Sequence, residues 1–242
     1  MASEYLKWKY RDVRPESPTE RSAAEKRKNW WHYHKWYILL GGVLALALAD
    51  IGWHALGIGE TVPDYQIAYV GTNPLPSDTT KAVEAAFAVL GADANGDGKV
   101  VVKLNQYART GGDSADAASY AAAAEVRLLG DIEKCDSFFF LLEDFETFQT
   151  GYDVLSRLDG SQPAPDESAE LAVRWGDCPA LSVFDLGAYS ENLLGQTVSG
   201  SSGELVADLY LARRSVRADR TSGSAEACEA LWKALMEGVA TR

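Results

Sequence analysis

From residue 64 onward, short apolar runs alternate with stretches whose apolar residues recur every three or four positions, which predicts strands separated by helices. DYQIAYVG (64–71) has strand character. PSDTTKAVEAAFAVLG (76–91) reads as a helix: Ser77 or Asp78 caps it, Val83, Phe87 and Leu90 share one face, and Gly91 ends it. KVVVKLNQY (99–107) predicts a second strand, and an alanine-rich helix (114–134) follows. CDSFFFLLED (135–144) is the continuous apolar run of a strand buried on both faces. FETFQTGYDVLSRL (145–158) predicts a third helix, CPALSVFDLG (178–187) and ELVADLYLARRSV (204–216) two more strands, and AEACEALWKALMEG (225–238) a closing helix. Strands joined by helical crossovers make an α/β fold. The expectation for residues 60–242 is a single three-layer αβα domain with a mostly parallel five-stranded sheet.

The N-terminal region follows a different pattern. Residues 1–29 are polar, are broken by Pro15 and Pro18, and read as a tail. The apolar stretch from Trp36 to Ile58 would span about 34 Å as a helix, enough to cross a bilayer. Trp30, Trp31, Tyr33, Trp36 and Tyr37 form an aromatic belt before it, and Trp53 lies near its other end. The expected organisation is a basic cytoplasmic tail (1–35), a transmembrane helix (36–58) and an extracytoplasmic domain (60–242). A cleaved signal peptide ending at Ala47-Leu48-Ala49 is the competing reading; the long segment before the apolar run favours the anchor. Asp50, with His54 four residues on, is either an outer-interface carboxylate or part of a helix contact or proton site.

Charge separates the same two regions. Residues 1–59 carry nine Lys/Arg against six Asp/Glu, whereas residues 60–242 carry fourteen against twenty-nine. Residues 1–35 hold all nine of those cations against five acids, so the positive-inside rule places this end in the cytoplasm. The acidic domain is a poor match for nucleic acid. All three histidines precede residue 60, which leaves the domain without the commonest general base. With no nucleophile elbow, P-loop or Cys/His metal spacing either, the expectation is a protein that is not an enzyme.

In open α/β sheets, ligands sit beyond the carboxyl ends of the strands. That rule selects Gly71, Thr72 and Asn73 after the first strand, Glu143 and Asp144 after the third, and Asp185 and Tyr189 after the fourth. The candidate ligand residues are Thr72, Asn73, Glu143, Asp144 and Tyr189. The first loop, GTNPLPSD, also opens a helix whose free N–H groups could hold an anion. Turn and cap chemistry favours the same residue types without any ligand.

CDSFFFLLEDFETFQTGYDVLSRLDG (135–160), together with DLYLARRSV (208–216), resembles the strand–helix–turn and returning strand of bacterial extracellular solute-binding proteins of ABC importers. Those proteins have two lobes, and this chain has sequence for one. Their lipoprotein cysteine is replaced by a membrane helix. The resemblance implies a one-lobe, solute-binding-like ectodomain, of the sort found in single-pass membrane proteins of Gram-positive bacteria. Its ligand would be a small solute or a partner protein. An accessory subunit of a transporter or envelope complex, with no ligand of its own, is the alternative.

DANGDGKV (93–100) matches the first eight positions of an EF-type calcium loop. Asp93, Asn95 and Asp97 are at one, three and five, and the Lys99 carbonyl is at seven. Leu104 stands where the bidentate Glu belongs, so a structural Ca2+ of weak affinity is one reading. A turn in which Gly96 and Gly98 supply positive φ is the other. Of the three cysteines, Cys178 and Cys228 are the expected disulfide and Cys135 the spare thiol.

Overall fold

A computed structural model describes residues 22–55, 62–109, 115–164, 170–193, 196–215 and 225–239. The chain divides into two compact units, Met1–Glu60 and Thr61–Arg242.

The described part of the first unit is one helix, α1 (Ala23–Ala55). It starts well before the expected boundary at residue 36, because a capping box closes its N-terminus. Ser22 Oγ accepts the Glu25 N–H at 3.3 Å, and the Glu25 carboxylate accepts the Ser22 N–H at 3.1 Å. Residues 23–35, expected in a tail, are therefore helical. The helix is long and apolar enough over Ala23–Gly52 to cross a membrane. The Asp50–His54 pairing lies outside the described side chains, and residues 1–21 and 56–61 lie outside the described residues.

The second unit contains β1 (Tyr65–Gly71), α2 (Ser77–Leu90), β2 (Val102–Ala108), α3 (Ala115–Lys134), β3 (Phe139–Leu142), α4 (Phe145–Tyr152) and β4 (Ala172–Arg174). A 3-10 turn (Trp175–Asp177), α5 (Pro179–Ser182), β5 (Ala188–Leu193), β6 (Gln196–Ser201), α6 (Ser202–Ala207), β7 (Tyr210–Arg213) and α7 (Ala225–Met236) complete it. The main sheet has five strands in the order β2-β1-β3-β7-β4. β1 is parallel to β2 and β3, but β7 runs antiparallel to both β3 and β4. The α/β class is observed, and the sheet is mixed rather than mostly parallel. The physical reason is the return path: among the described residues, the link from β4 to β7 holds only the short α5 and α6 and the β5–β6 hairpin, and not the long helical crossover that parallel neighbours need.

Strand alternation sorts the core between the two faces of the sheet. Tyr65, Ile67, Tyr69, Phe139, Leu141 and Leu211 face one side, where they meet Val83 and Phe87 of α2 and Leu231, Trp232 and Leu235 of α7. Ala68, Val70, Phe140, Leu142 and Ala212 face the other, against Leu128 of α3 and Phe148 of α4. Phe139 is the aromatic centre, with ring centroids of Phe138 at 5.0 Å, Phe87 at 5.5 Å, and Tyr65 and Trp232 each at 6.3 Å. On the edge strand β2, the Glu84 carboxylate accepts the Leu104 N–H at 2.8 Å, which occupies one outward donor of an open sheet edge.

One expected strand is something else, and another is shorter than expected. CPALSVFDLG forms the 3-10 turn's exit and α5, because Pro179 at the first helical position has its φ preset for a helix. Residues 204–207 of the second run belong to α6, whose cap is Ser201 Oγ accepting the Glu204 N–H, and only Tyr210–Arg213 is strand. α4 ends at Tyr152, with Asp153 left-handed at φ 48° behind it.

The cysteines also depart from expectation. Cys178 and Cys228 share the larger core cluster, yet no disulfide joins them, so the expected bridge is not formed. The Cys178 thiol instead donates to the Leu235 carbonyl at 3.1 Å, and burial pushes its pKa up. Cys135 is half-buried, with φ 59° just past the end of α3, rather than a buried thiol heading β3.

Candidate functional site

The carboxyl ends of β1, β2 and β3 converge where the strand-end rule places a ligand. β1 is continued on both sides by backbone hydrogen bonds from Arg109 N to Gly71 O at 2.8 Å and from Glu143 N to Val70 O at 3.1 Å. Between them is a cavity of about 160 Å³ lined by Val70, Gly71, Thr72, Arg109, Glu143, Asp144, Thr147 and Phe148. A liquid water occupies about 30 Å³, so the space suits a handful of waters or a small solute.

Glu143 organises the rim. Its Oε2 accepts from the Thr72 N–H and the Thr72 hydroxyl, both at 2.8 Å, and its Oε1 lies 2.9 Å from the Tyr69 hydroxyl. The Tyr69 hydroxyl is also 2.8 Å from the Asn73 carbonyl, so one proton serves two acceptors. Burial, then the Glu143 contact, drives the Tyr69 pKa up, which keeps this hydroxyl protonated. Asp144 caps α4, accepting the Thr147 N–H at 3.0 Å and the Thr147 hydroxyl at 2.6 Å. Those two bonds hold its carboxyl below the usual range. Arg109 turns its Nη2 toward Tyr152 Oη at 2.9 Å and Glu125 Oε2 at 3.2 Å, and the Tyr152 hydroxyl also bonds Glu125. Two carboxylates held by neutral donors and one partnered guanidinium leave the mouth rich in hydrogen-bond acceptors.

Gly71 is required where these groups meet. A Cβ there would collide with the Tyr69 hydroxyl and lie 2.5 Å from Glu143 Oε1. Gly71→Ala is therefore expected to displace the Tyr69–Glu143 pair and lower stability by about 2 kcal/mol, the usual range for overfilling a packed site. Chemical denaturation of residues 61–242 measures it.

Thr72, Glu143 and Asp144 thus line the cavity as expected, and Asn73 adjoins it through its carbonyl. Tyr189 does not. It lies on β5, which pairs with β6 in a separate two-stranded sheet, and its ring lies against Gly200. That hairpin instead closes the start of α2: Glu191 Oε1 accepts the Ser77 N–H at 3.1 Å, and Asp78 Oδ2 accepts the Ser190 N–H at 3.4 Å. The anion expected at this helix start is thus matched by a carboxylate of the chain itself. Arg109 and the Tyr152–Glu125 pair escaped the sequence reading, because they come from three separate elements with no local spacing to announce them.

The DANGDGKV segment is a turn network built on a residue outside it. Asp64, only 2% exposed, accepts the Ala94 and Asn95 N–H groups at 2.9 and 3.0 Å on Oδ1, and the Val101 N–H at 2.8 Å on Oδ2. Within the loop, Asp93 accepts from Gly96 at 2.6 Å and Gly98 at 2.7 Å, Asn95 from Asp97 at 2.9 Å, and Asp97 from Lys99 at 2.9 Å. Gly96 and Gly98 have φ of 77° and 85°, as the turn requires. The Gly98 bond, followed by other backbone N–H contacts, keeps the Asp93 carboxyl low. Among the described residues, no group of three or more His, Cys, Asp or Glu side chains is arranged to hold a metal ion.

No protein family, curated protein or solved structure matches this chain.

Proposed function

We propose that the chain is a membrane-anchored binding module, with α1 as the anchor and residues 61–242 as an extracytoplasmic receptor for a small polar solute. The carrying observation is the cavity at the carboxyl ends of the three parallel strands, where Thr72, Glu143 and Asp144 converge beside a glycine that admits no side chain. Its size favours a compact solute, and its acceptor-rich mouth favours one that presents hydrogen-bond donors. Binding rather than catalysis is the proposed activity, in keeping with the sequence resemblance of residues 135–160 and 208–216. A partner protein at this rim belongs to the same reading.

The second reading, an accessory subunit without a ligand, has one observation in its favour. The charged groups at the rim already have partners within the chain, as a purely structural network would. A structural Ca2+ held by Asp93, Asn95, Asp97 and the Lys99 carbonyl is also proposed. Each of the three side chains accepts one or two N–H bonds and keeps lone pairs for a cation.

A thermal-shift screen of residues 61–242 against amino acids, short peptides, sugars, amines and millimolar Ca2+ tests these readings. The receptor reading expects a solute shift that Glu143→Gln or Asp144→Asn weakens at least tenfold in apparent affinity. No solute shift supports the accessory reading instead. A Ca2+ shift lost in Asp93→Ala supports the calcium site, and the absence of any Ca2+ shift refutes it.

A further inference from the structure

α1 is longer than a bilayer needs. Its 33 residues extend about 50 Å, against about 30 Å of hydrocarbon and 40–45 Å including the headgroups. The surplus lies at the N-terminal end, where the capping box of Ser22 and Glu25 fixes the helix start ahead of Lys26, Arg27 and Lys28. The basic run is therefore held on a rigid rod and not dispersed along a tail. Lys35 follows about 10–14 Å further along the axis, beside the start of the apolar stretch.

The arrangement runs against the helix's own electrostatics. Cations near an N-terminus add to the positive end of the macrodipole, and Glu25 is the single acid in the first turn. Aromatic side chains interleave with the cations on the same faces. Lys26, Trp30, Tyr33 and Tyr37 recur at i, i+4, i+7 and i+11, and Lys28, Trp31 and Lys35 at i, i+3 and i+7. Trp30, Trp31, Tyr33, Trp36 and Tyr37 are all exposed, at 53–74%. Trp30 also stacks on His34 at 4.8 Å, with the His34 ring nitrogen 2.8 Å from the Trp30 carbonyl, which stiffens this turn.

We infer that residues 26–37 form a collar that binds anionic phospholipid headgroups of the leaflet on which the N-terminus lies. The aromatic rings sit at the hydrocarbon boundary, Lys26, Arg27 and Lys28 reach the phosphate layer, and Lys35, set among the rings, snorkels its ammonium back toward that layer. Each cation near an anionic leaflet contributes about fivefold to the attraction, and the contribution falls off within a Debye length of about 8 Å. The collar thus sets the depth and lipid surroundings of the anchor. This inference rests on the reading of α1 as a membrane helix.

The full chain, reconstituted into phosphatidylcholine vesicles with a trace of either dansyl-phosphatidylglycerol or dansyl-phosphatidylcholine, tests it through tryptophan-to-dansyl energy transfer. Alkaline carbonate extraction of the same vesicles reports insertion. The expected result is an inserted protein with transfer several-fold stronger to the anionic probe. Lys26→Gln/Arg27→Gln/Lys28→Gln should weaken the preference several-fold, and high salt on the unaltered chain should bring the two probes to parity. Equal transfer to both probes by an inserted wild-type protein, or a preference that survives both treatments, overturns the collar and leaves the anchor standing. Extraction of the protein by carbonate overturns the anchor and the collar together.

Discussion

Asp64→Ala is expected to destabilise the 61–242 unit by about 4 kcal/mol, as much as truncating a buried leucine. The side chain is buried at the head of β1, where its two oxygens accept three backbone N–H groups from Ala94, Asn95 and Val101. Removing the carboxylate leaves three backbone donors without their acceptor, each worth about 1–3 kcal/mol, and water recovers part of that loss at the exposed Ala94 and Asn95. For a unit of this size, the change corresponds to a fall in melting temperature of about 8–16 °C. Asp64→Asn keeps one acceptor oxygen and should fall between. Thermal denaturation of the two variants checks both the size and the order. If Asp64→Ala melts within about 2 °C of the wild type, the loop does not depend on this residue.

Glu229→Ala is the second large effect, with an expected loss of about 3 kcal/mol. Its partner Arg213 is 4% exposed and lies over the rings of Phe138 at 5.2 Å and Trp232 at 5.9 Å. Glu229 bonds both Arg213 Nη atoms, with Nη1 to Oε2 at 2.8 Å, while the buried Nε has no hydrogen-bond partner. Truncating the part-exposed Glu229 leaves the buried guanidinium between two aromatic rings without its carboxylate, the costly way to break such a pair. Removing both charges is a different experiment. Arg213→Met with Glu229→Leu keeps the volume and abolishes the charge, and should return to within about 1 kcal/mol of the wild type. Urea unfolding of the single and double variants separates a stranded charge from simple loss of packing, for which the double variant would be the worse of the two.

The parts of the fold legible in the sequence were those whose signal is local. Val83 and Phe87 mark α2 because helical spacing put them on one face, and the FFFLL run marks β3 because both of its faces are buried. The β5–β6 hairpin escaped because AYSENL and QTVSGS carry few apolar side chains and are positioned by the distant Ser77 and Asp78. The direction of β7 was equally hidden, since a short α6 and a crossover helix are distinguished only by the path between strands. At the rim, the strand-end rule found Thr72, Glu143 and Asp144 because they directly follow strong strands. It misplaced Tyr189 by assuming a strand where Pro179 starts a helix. The calcium-like spacing drew attention to Asp93, Asn95 and Asp97, while the residue that holds the loop, Asp64, lay some thirty positions upstream at a strand boundary.

Amide hydrogen exchange on residues 61–242, with and without the solute giving the largest thermal shift, addresses the receptor claim most directly. Slowed exchange is expected at the Thr72 and Thr147 amides, which bond to Glu143 and Asp144 at the cavity mouth. Protection confined to another face, with these two amides unchanged, would contradict it.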